Sequence, residues 1–288
     1  MNDRPVSAEP APAGSDRTLD GPTTLLVVVH EPDAGPGVFG QWLVDLGVVL
    51  EICHPYAGDE LPSRVVTDGL MVLGGSMGAT EDHRAPWLTS TRELIASAVA
   101  DEVPFLGICL GAQLLATACG GVVRAGAYGP QVGVYPVEWA PAAASDRLTS
   151  GLPAPAVAVQ WHWDEVASLP AGATVLATDP LDAPGAPSGA GHGSGYVQAF
   201  RVGETAWGVQ FHPEVLTDTV EAWAAGDAEE SSLPQAGIDP ASVVAAVQAA
   251  TGELIACWQP LAARFATVLA DHRVVRAATG AGAGPAPG

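Results

Sequence analysis

Cys109 is the residue of this chain best placed for covalent chemistry. It follows an apolar run of strand length, lies between Gly107 and Gly111, and precedes apolar residues that recur at helical spacing. This pattern predicts a strand-to-helix corner with the thiol at its tip, where flanking glycines leave room for a strained backbone. The free N–H groups and dipole of the following helix would favour a thiolate and could bind an oxyanion.

A histidine and a carboxylate two positions apart supply the partners that such a thiol needs. His212 and Glu214 follow a short strand-like run at 207–211, and Pro213 stops the strand between them. An imidazole can hold a cysteine as thiolate, and a carboxylate can fix the tautomer of that imidazole. Cys109 taken alone would fit better as a buried core cysteine, but the second stretch favours a nucleophile.

A glycine-rich stretch at 73–78 directly follows a predicted strand over 69–73. Glycine allows close backbone approach, so a loop of this kind can present N–H groups to an anion. A phosphate-binding loop is the alternative interpretation. The stretch lacks the Gly-Lys-Ser/Thr ending of such a loop and the spacing of a dinucleotide-binding motif, which disfavours that alternative.

Together, the three stretches resemble the signatures of class I (triad) glutamine amidotransferases. They read Gly-Ile-Cys-Leu-Gly-Ala-Gln at 107–113, Phe-His-Pro-Glu at 211–214 and Leu-Gly-Gly-Ser-Met-Gly at 73–78. The resemblance spans roughly residues 24–272 and is closest to stand-alone members similar to the amidotransferase domain of GMP synthetase. It implies that Cys109 is the nucleophile, His212 the base and Glu214 the carboxylate that orients the base.

The same resemblance implies an oxyanion hole and a substrate pocket. The backbone N–H groups expected to stabilise the oxyanion belong to Gly75, Ser76 and Leu110. The residues expected to line the pocket are Gly74, Met77, Gln113 and His162. For His162, which lies in the segment Gln-Trp-His-Trp at 160–163, both a pocket-lining and a structural role remain open.

Alternating strand and helix patterns predict an α/β fold, a flavodoxin-like open mixed sheet with helices on both faces. We expect seven or more strands, parallel at the centre, with the active loops at the carboxyl ends of the parallel strands. The β-rich half is predicted from strand patterns at 132–139, 157–166, 173–178, 196–202 and 205–211. A helical extension is expected over 217–272, where Asp239-Pro240 marks a helix start.

The chain organisation predicted from composition is one amidotransferase-like domain over 23–276 with loose ends. Pro- and Gly-rich segments without periodicity predict a disordered tail at 1–22 and a flexible insertion at 179–195. Residues 277–288 are only Ala, Gly, Pro and Thr, which predicts a second disordered tail.

Composition disfavours several classes of ligand. The chain has 32 acidic and 11 basic residues and a net charge of −21, which would repel nucleic acid and anionic membrane surfaces. No stretch approaches 18 charge-free apolar residues, and the polar N-terminus lacks a signal-peptide pattern, so we expect a cytoplasmic protein. The four cysteines lack zinc spacing; we therefore expect neither a metal nor a cofactor.

The expected function is hydrolysis of the side-chain amide of glutamine through a Cys109 thioester. No nucleotide-binding signature follows the amidotransferase-like part, so the released ammonia would pass to a separate ATP-dependent synthetase. Two alternatives remain open: a γ-glutamyl amide hydrolase without an acceptor, and a non-catalytic binding or regulatory protein on the same fold. The intact Cys109, His212 and Glu214 favour an enzyme.

Overall fold

A nine-stranded mixed sheet organises the protein. A computed structural model describes residues 21–127, 129–180, 196–230 and 232–280. In chain order the elements are β1 (Thr23–Val28), α1 (Gly37–Asp45), β2 (Val48–Cys53), β3 (Leu70–Val72), α2 (Trp87–Ala100), β4 (Phe105–Ile108), α3 (Leu110–Ala118), β5 (Val122–Ala125), β6 (Gln131–Trp139), β7 (Ala156–His162), β8 (Asp164–Ser168), β9 (Thr174–Thr178), β10 (Val197–Val202), β11 (Ala206–Val209), α4 (Thr217–Glu230), α5 (Ser232–Gln235) and α6 (Pro240–Gly280).

The sheet has a parallel half that brings the three sequence motifs to one edge. Its strand order is β2-β1-β3-β4-β11-β10-β9-β6-β7, and the pairs from β2 to β11 are parallel. Strands such as β1 are almost wholly buried and apolar, as strands covered on both faces must be. Because parallel strands end at the same edge, the loops after β3, β4 and β11 lie side by side. The predicted flavodoxin-like mixed sheet is confirmed.

The other half of the sheet is antiparallel, with β10, β9, β6 and β7 paired in succession beyond β11. The single strand predicted over 157–166 is instead two strands, β7 and β8, separated at Trp163. β8 leaves the main sheet and pairs with β5 in a small antiparallel ladder. The sequence pattern did not predict β5, whose residues are mostly exposed and therefore carry no burial signal.

Helices cover both faces of the sheet, as predicted. On one face α2 and α3 pack together, with Leu94, Ile95, Leu114 and Leu115 buried in a common core. On the opposite face α1 and α4 pack against α6, which also contacts β1, β6 and β7. The sheet is therefore buried on both sides, and its carboxyl edge stays accessible for a site.

α6 is a single helix of 41 residues that continues through Pro260. By length and composition it is the one helix in the described parts of the chain that could cross a membrane. Its row of buried residues, including Leu254, Trp258 and Phe265, packs on the sheet, and 28% of its most apolar 18-residue window is buried. The helix runs past the predicted end at 272 and into the predicted tail, up to Gly280. Residues 1–20, 181–195 and 281–288, which hold most of the predicted tails and insertion, lie outside the described residues.

Candidate active site

Cys109 sits at the tip of a strained corner between β4 and α3. Its φ is 51°, a conformation that L-residues rarely adopt, and its N–H donates to Val209 O at 2.8 Å. A Cβ on Gly107 would lie 2.4 Å from Gly111 O, and one on Gly111 would lie 2.0 Å from Val72 O. Both flanking positions therefore require glycine. The corner has the geometry of a nucleophile elbow, and α3 begins immediately after the thiol.

His212 and Glu214 form a buried pair just beyond β11. Nδ1 of His212 lies 2.7 Å from Oε1 of Glu214, and each side chain is 4% exposed. The His212 N–H donates to Val159 O at 2.9 Å, which ties the histidine to β7. The N–H of Val38, at the start of α1, donates to Glu214 O at 3.1 Å. Two backbone hydrogen bonds from distant elements thus hold the pair in place.

Gly74 lies between Cys109 and His212. A Cβ at this position would lie 3.2 Å from Cε1 of His212 and 3.6 Å from Cβ of Cys109. Both side chains therefore border the same glycine, where a Cβ would be in tight contact with His212. Nε2 of His212 is buried and makes no hydrogen bond within the described residues, so it remains available for proton transfer.

Burial and charge set opposite protonation states for His212 and His162, the two histidines of the site. Burial lowers the pKa of His212, but the charges of Glu214 and Cys109 outweigh burial and raise that pKa to about 10. Burial also lowers the pKa of His162 to about 4, only partly opposed by its hydrogen bond to Asp164 O. His212 is therefore poised as an imidazolium beside Cys109, whereas His162 is neutral at physiological pH.

The expected oxyanion donors differ in their availability. The Ser76 N–H donates to Oε1 of Glu31 at 2.9 Å, and the Ser76 hydroxyl donates to Oε2 of the same carboxylate at 2.8 Å. The Ser76 N–H is therefore engaged. Within the described residues the N–H of Gly75 has no such acceptor, and that of Leu110, first in α3, has no intrahelical acceptor. Gly75 and Leu110 both line the cleft at Cys109.

A cleft of about 590 Å³ opens at the thiol, and all four expected pocket residues line it: Gly74, Met77, Gln113 and His162. Nδ1 of His162 lies 2.9 Å from the carbonyl oxygen of Asp164, an atom that only accepts, so Nδ1 carries the proton. Its Nε2, which has no partner in the described part of the chain, is therefore an acceptor. The amide of Gln113 is 4% exposed and points inward, toward Gln210.

A larger cavity, about 690 Å³, lies at the opposite edge of the sheet near Pro104 and Thr205. Two of the arginines that border it are paired, Arg64 with Asp101 and Arg147 with Asp271. The cavity contains none of the residues that surround Cys109. Within the described ranges no three His, Cys, Asp or Glu side chains are grouped so as to hold a metal ion.

Gln210 and Trp223 are among the residues of the site that escaped the sequence analysis. Gln210 donates from Nε2 to Sγ of Cys109 at 3.6 Å, and Trp223 packs edge-on against His212 with ring centroids 5.0 Å apart. For Gln210 a signal was available, because it is the last residue but one of the strand predicted over 205–211 and lies two positions before His212. Trp223 comes from α4, and only the packing of α4 over the cleft brings it to the histidine.

Comparisons with known proteins agree with this geometry. The profile of the family described as glutamine amidotransferase class-I matches residues 41–222. The glutamine amidotransferase-like protein YfeJ of Salmonella typhimurium is 30% identical over 67% of this chain and 77% of its own length. The glutamine-hydrolysing GMP synthase of Natronomonas pharaonis has a component that is 34% identical over 67% of this chain and 89% of its own length.

Among solved structures, a glutamine amidotransferase from Thermotoga maritima superposes with a TM-score of 0.72 at 27% identity. The match covers 85% of this chain and 99% of that structure. The residues that match the family profile make up more than half of the chain and include Cys109, His212 and Glu214. The chain belongs to the class-I glutamine amidotransferase family.

Proposed function

We propose that this protein hydrolyses the side-chain amide of glutamine through a thioester on Cys109, with His212 and Glu214 completing a triad. The observation that carries the proposal is the His212–Glu214 contact of 2.7 Å at a strained, buried cysteine corner. A buried imidazole held by a carboxylate next to a thiol is the arrangement needed for acid–base work on a covalent intermediate.

In the first half of the reaction the Cys109 thiolate attacks the amide carbon of the substrate. The N–H groups of Gly75 and Leu110 stabilise the developing oxyanion, and Ser76 joins them if Glu31 releases its N–H. The imidazolium of His212 then gives its proton to the departing nitrogen, so ammonia leaves and the thioester remains.

In the second half, water attacks the thioester carbon while neutral His212 accepts a proton from that water. The tetrahedral intermediate collapses, glutamate leaves, and the thiolate–imidazolium pair is restored. Glu214 keeps Nδ1 of His212 protonated and oriented through both halves. His162 lines the cleft beside Gly74, Met77 and Gln113, where its neutral ring helps to shape the substrate pocket.

The ammonia has a proposed destination in a separate, ATP-dependent synthetase. This part of the proposal is supported by the relatives named as single subunits of a glutamine-hydrolysing GMP synthase, which are similar to this chain over most of their length. We assign the protein to the cytoplasm, where glutamine and such a synthetase would be available, and assign it no nucleic-acid partner because of its charge of −21.

The test combines turnover with labelling. Purified protein is incubated with glutamine, and ammonia and glutamate are quantified. A glutamine analogue with a diazoketone in place of the amide is then applied, and peptides are mapped by mass spectrometry. We expect the label on Cys109, with Cys53, Cys119 and Cys257 unmodified. A folded protein whose Cys109 resists the analogue, alone and with candidate synthetases, would disprove the proposal.

A further inference from the structure

A chain of hydrogen bonds between side-chain amides ends at the nucleophile. Nε2 of Gln113 lies 3.4 Å from the carbonyl oxygen of Asp164 and 3.3 Å from Oε1 of Gln210. Nε2 of Gln210 in turn lies 3.6 Å from Sγ of Cys109. Gln113 and Gln210 are 4% and 2% exposed, so water does not compete for these contacts.

The direction of the chain is fixed at its far end. A backbone carbonyl oxygen only accepts, so Gln113 must present its NH2 group to Asp164. The second hydrogen of that NH2 group points to Gln210, which must therefore turn its oxygen toward Gln113. The NH2 group of Gln210 is then left to face the sulfur of Cys109. The sulfur receives a hydrogen-bond donor, and a donor favours a thiolate over a thiol.

We propose that Gln210 is a catalytic residue that donates a hydrogen bond to the Cys109 thiolate, and that Gln113 is the positioning residue that fixes the direction of this donor. The proposal rests on the proposed function. Gln210 is anchored for the task, because its backbone N–H donates to Gln198 O at 2.9 Å in β10. The donor reaches the sulfur directly, while His212 supplies the proton for the leaving group. Gln113 thereby gains a role distinct from contact with the substrate.

This relay of hydrogen bonds from Gln113 through Gln210 to Cys109 predicts a pH dependence of Cys109 reactivity that a loss of packing would not produce. The experiment measures the rate at which iodoacetamide alkylates Cys109, by mass spectrometry of its peptide, between about pH 5 and pH 10. Gln210→Leu keeps the volume and removes the donor. A hydrogen bond to a charged acceptor predicts a loss of about 10- to 100-fold near pH 7. The rates should converge with those of the wild type at high pH, where the thiol ionises without help.

Gln113→Glu tests the direction of the relay without touching the sulfur. A carboxylate at 113 cannot donate to Asp164 or to Oε1 of Gln210, so the Gln210 amide should turn and present its oxygen to the thiolate. The alkylation profile should shift toward that of Gln210→Leu. Gln160→Leu is the matched control, since Gln160 is a fully buried glutamine whose hydrogen bond goes to Gln198 and not to Cys109. This control should keep the wild-type profile.

Two outcomes would overturn the inference, and they are distinguishable from a failure of the proposed function. If Gln210→Leu lowers the rate equally at every pH, or leaves the profile unchanged, Gln210 is not a donor to the thiolate. In that case wild-type Cys109 still reacts at neutral pH, and glutamine is still hydrolysed. If Cys109 of the folded wild type is inert at neutral pH and releases no ammonia, both the relay and the triad are refuted.

Discussion

Glu214 and Asp179 are two equally buried carboxylates that the fold uses in different ways. Their exposed fractions are 4% and 5%. Glu214 contacts His212, a side chain that can carry a positive charge. Asp179 instead accepts from two neutral amides, those of Gln131 at 2.6 Å and Gln198 at 2.5 Å. Because the two carboxylates are equally buried, the difference between them lies in the type of partner. Glu214 contacts a side chain that can carry a positive charge, and Asp179 contacts neutral amides.

The pKa values of His212 and Asp179 show how the partner of a buried carboxylate affects protonation. Burial lowers the pKa of His212, but the charge of Glu214, the largest of the effects that raise this pKa, helps to overcome burial. At Asp179 burial raises the pKa to about 6, and the hydrogen bonds from Gln131 and Gln198 only partly oppose it. A cationic partner makes a buried carboxylate half of an ion pair, whereas neutral donors leave part of the desolvation cost uncompensated. The first arrangement suits proton transfer, and the second holds strands together.

The largest effect is expected from removing Cys109 or His212, the nucleophile and the base of the proposed triad. Cys109→Ser should abolish ammonia release, and His212→Ala should lower kcat by about 10⁴-fold, because these groups form and break the covalent intermediate. Circular dichroism and thermal unfolding should show a folded protein in both cases. Turnover by folded Cys109→Ser within tenfold of the wild-type rate would contradict the triad.

A smaller loss of activity is expected from neutralising Glu214, the carboxylate that contacts His212. Glu214→Gln keeps a side chain that can contact Nδ1 but removes the charge that raises the pKa of His212. We expect about 10 to 100 times more residual activity than in His212→Ala, since orientation and charge are lost but the base is kept. The pH profile of kcat should shift as well, because the imidazolium is destabilised. Equal activities of the two variants would show that Glu214 does more than orient and charge the base.

A still smaller effect on turnover is expected at the glycine that supports Glu214. Gly37 has a φ of 48°, and a Cβ there would lie 2.1 Å from Glu214 O. Gly37→Ala should push Glu214 away from His212 and lower kcat by about tenfold. Gly47→Ala is the control, because Gly47 also has a positive φ, 84°, yet a Cβ there would meet nothing within 4 Å. If both variants lose the same activity, backbone strain at a positive φ and not the contact with Glu214 is responsible.

The residues of the proposed triad could be paired from sequence because they are close in sequence or marked by local constraints. His212 and Glu214 are two positions apart, and Cys109 is flagged by the glycines that its strained corner requires. The parallel half of the sheet was equally predictable, since apolar runs and short connections restrict its topology. The split of the predicted strand 157–166 was missed because β7 and β8 form one continuous strand-like pattern.

The remaining features depend on contacts between distant segments. The Ser76–Glu31 hydrogen bonds join positions 45 apart, and Gln113 and Gln210 are 97 apart. The Asp179 cluster draws Gln131 from β6 and Gln198 from β10, so it exists only once the strand register is set. No local pattern encodes such contacts, because each glutamine is by itself an ordinary polar residue.

The smallest effect is expected at Asp179, where the comparison predicts a change in stability without a change in chemistry. The folded-state pKa of about 6 lies above the ordinary value of 3.8. Asp179 therefore contributes stability that is fully present below pH 3.8 and is lost as the pH rises through about 6. Asp179→Asn removes this titration, so the wild type should lose on the order of 1 kcal/mol relative to the variant between about pH 5 and pH 8.

The measurement is urea unfolding of both proteins at the two pH values, with the difference in unfolding free energy as the readout. The titration of His212 also falls partly in this range, but it is common to both proteins and cancels in the difference. Glutamine hydrolysis by Asp179→Asn should stay within about twofold of the wild type at pH 8, because no hydrogen bond of Asp179 reaches the triad. A stability difference independent of pH would show that the two amides compensate the buried charge fully, and that a cationic partner is not needed to keep a buried carboxylate ionised.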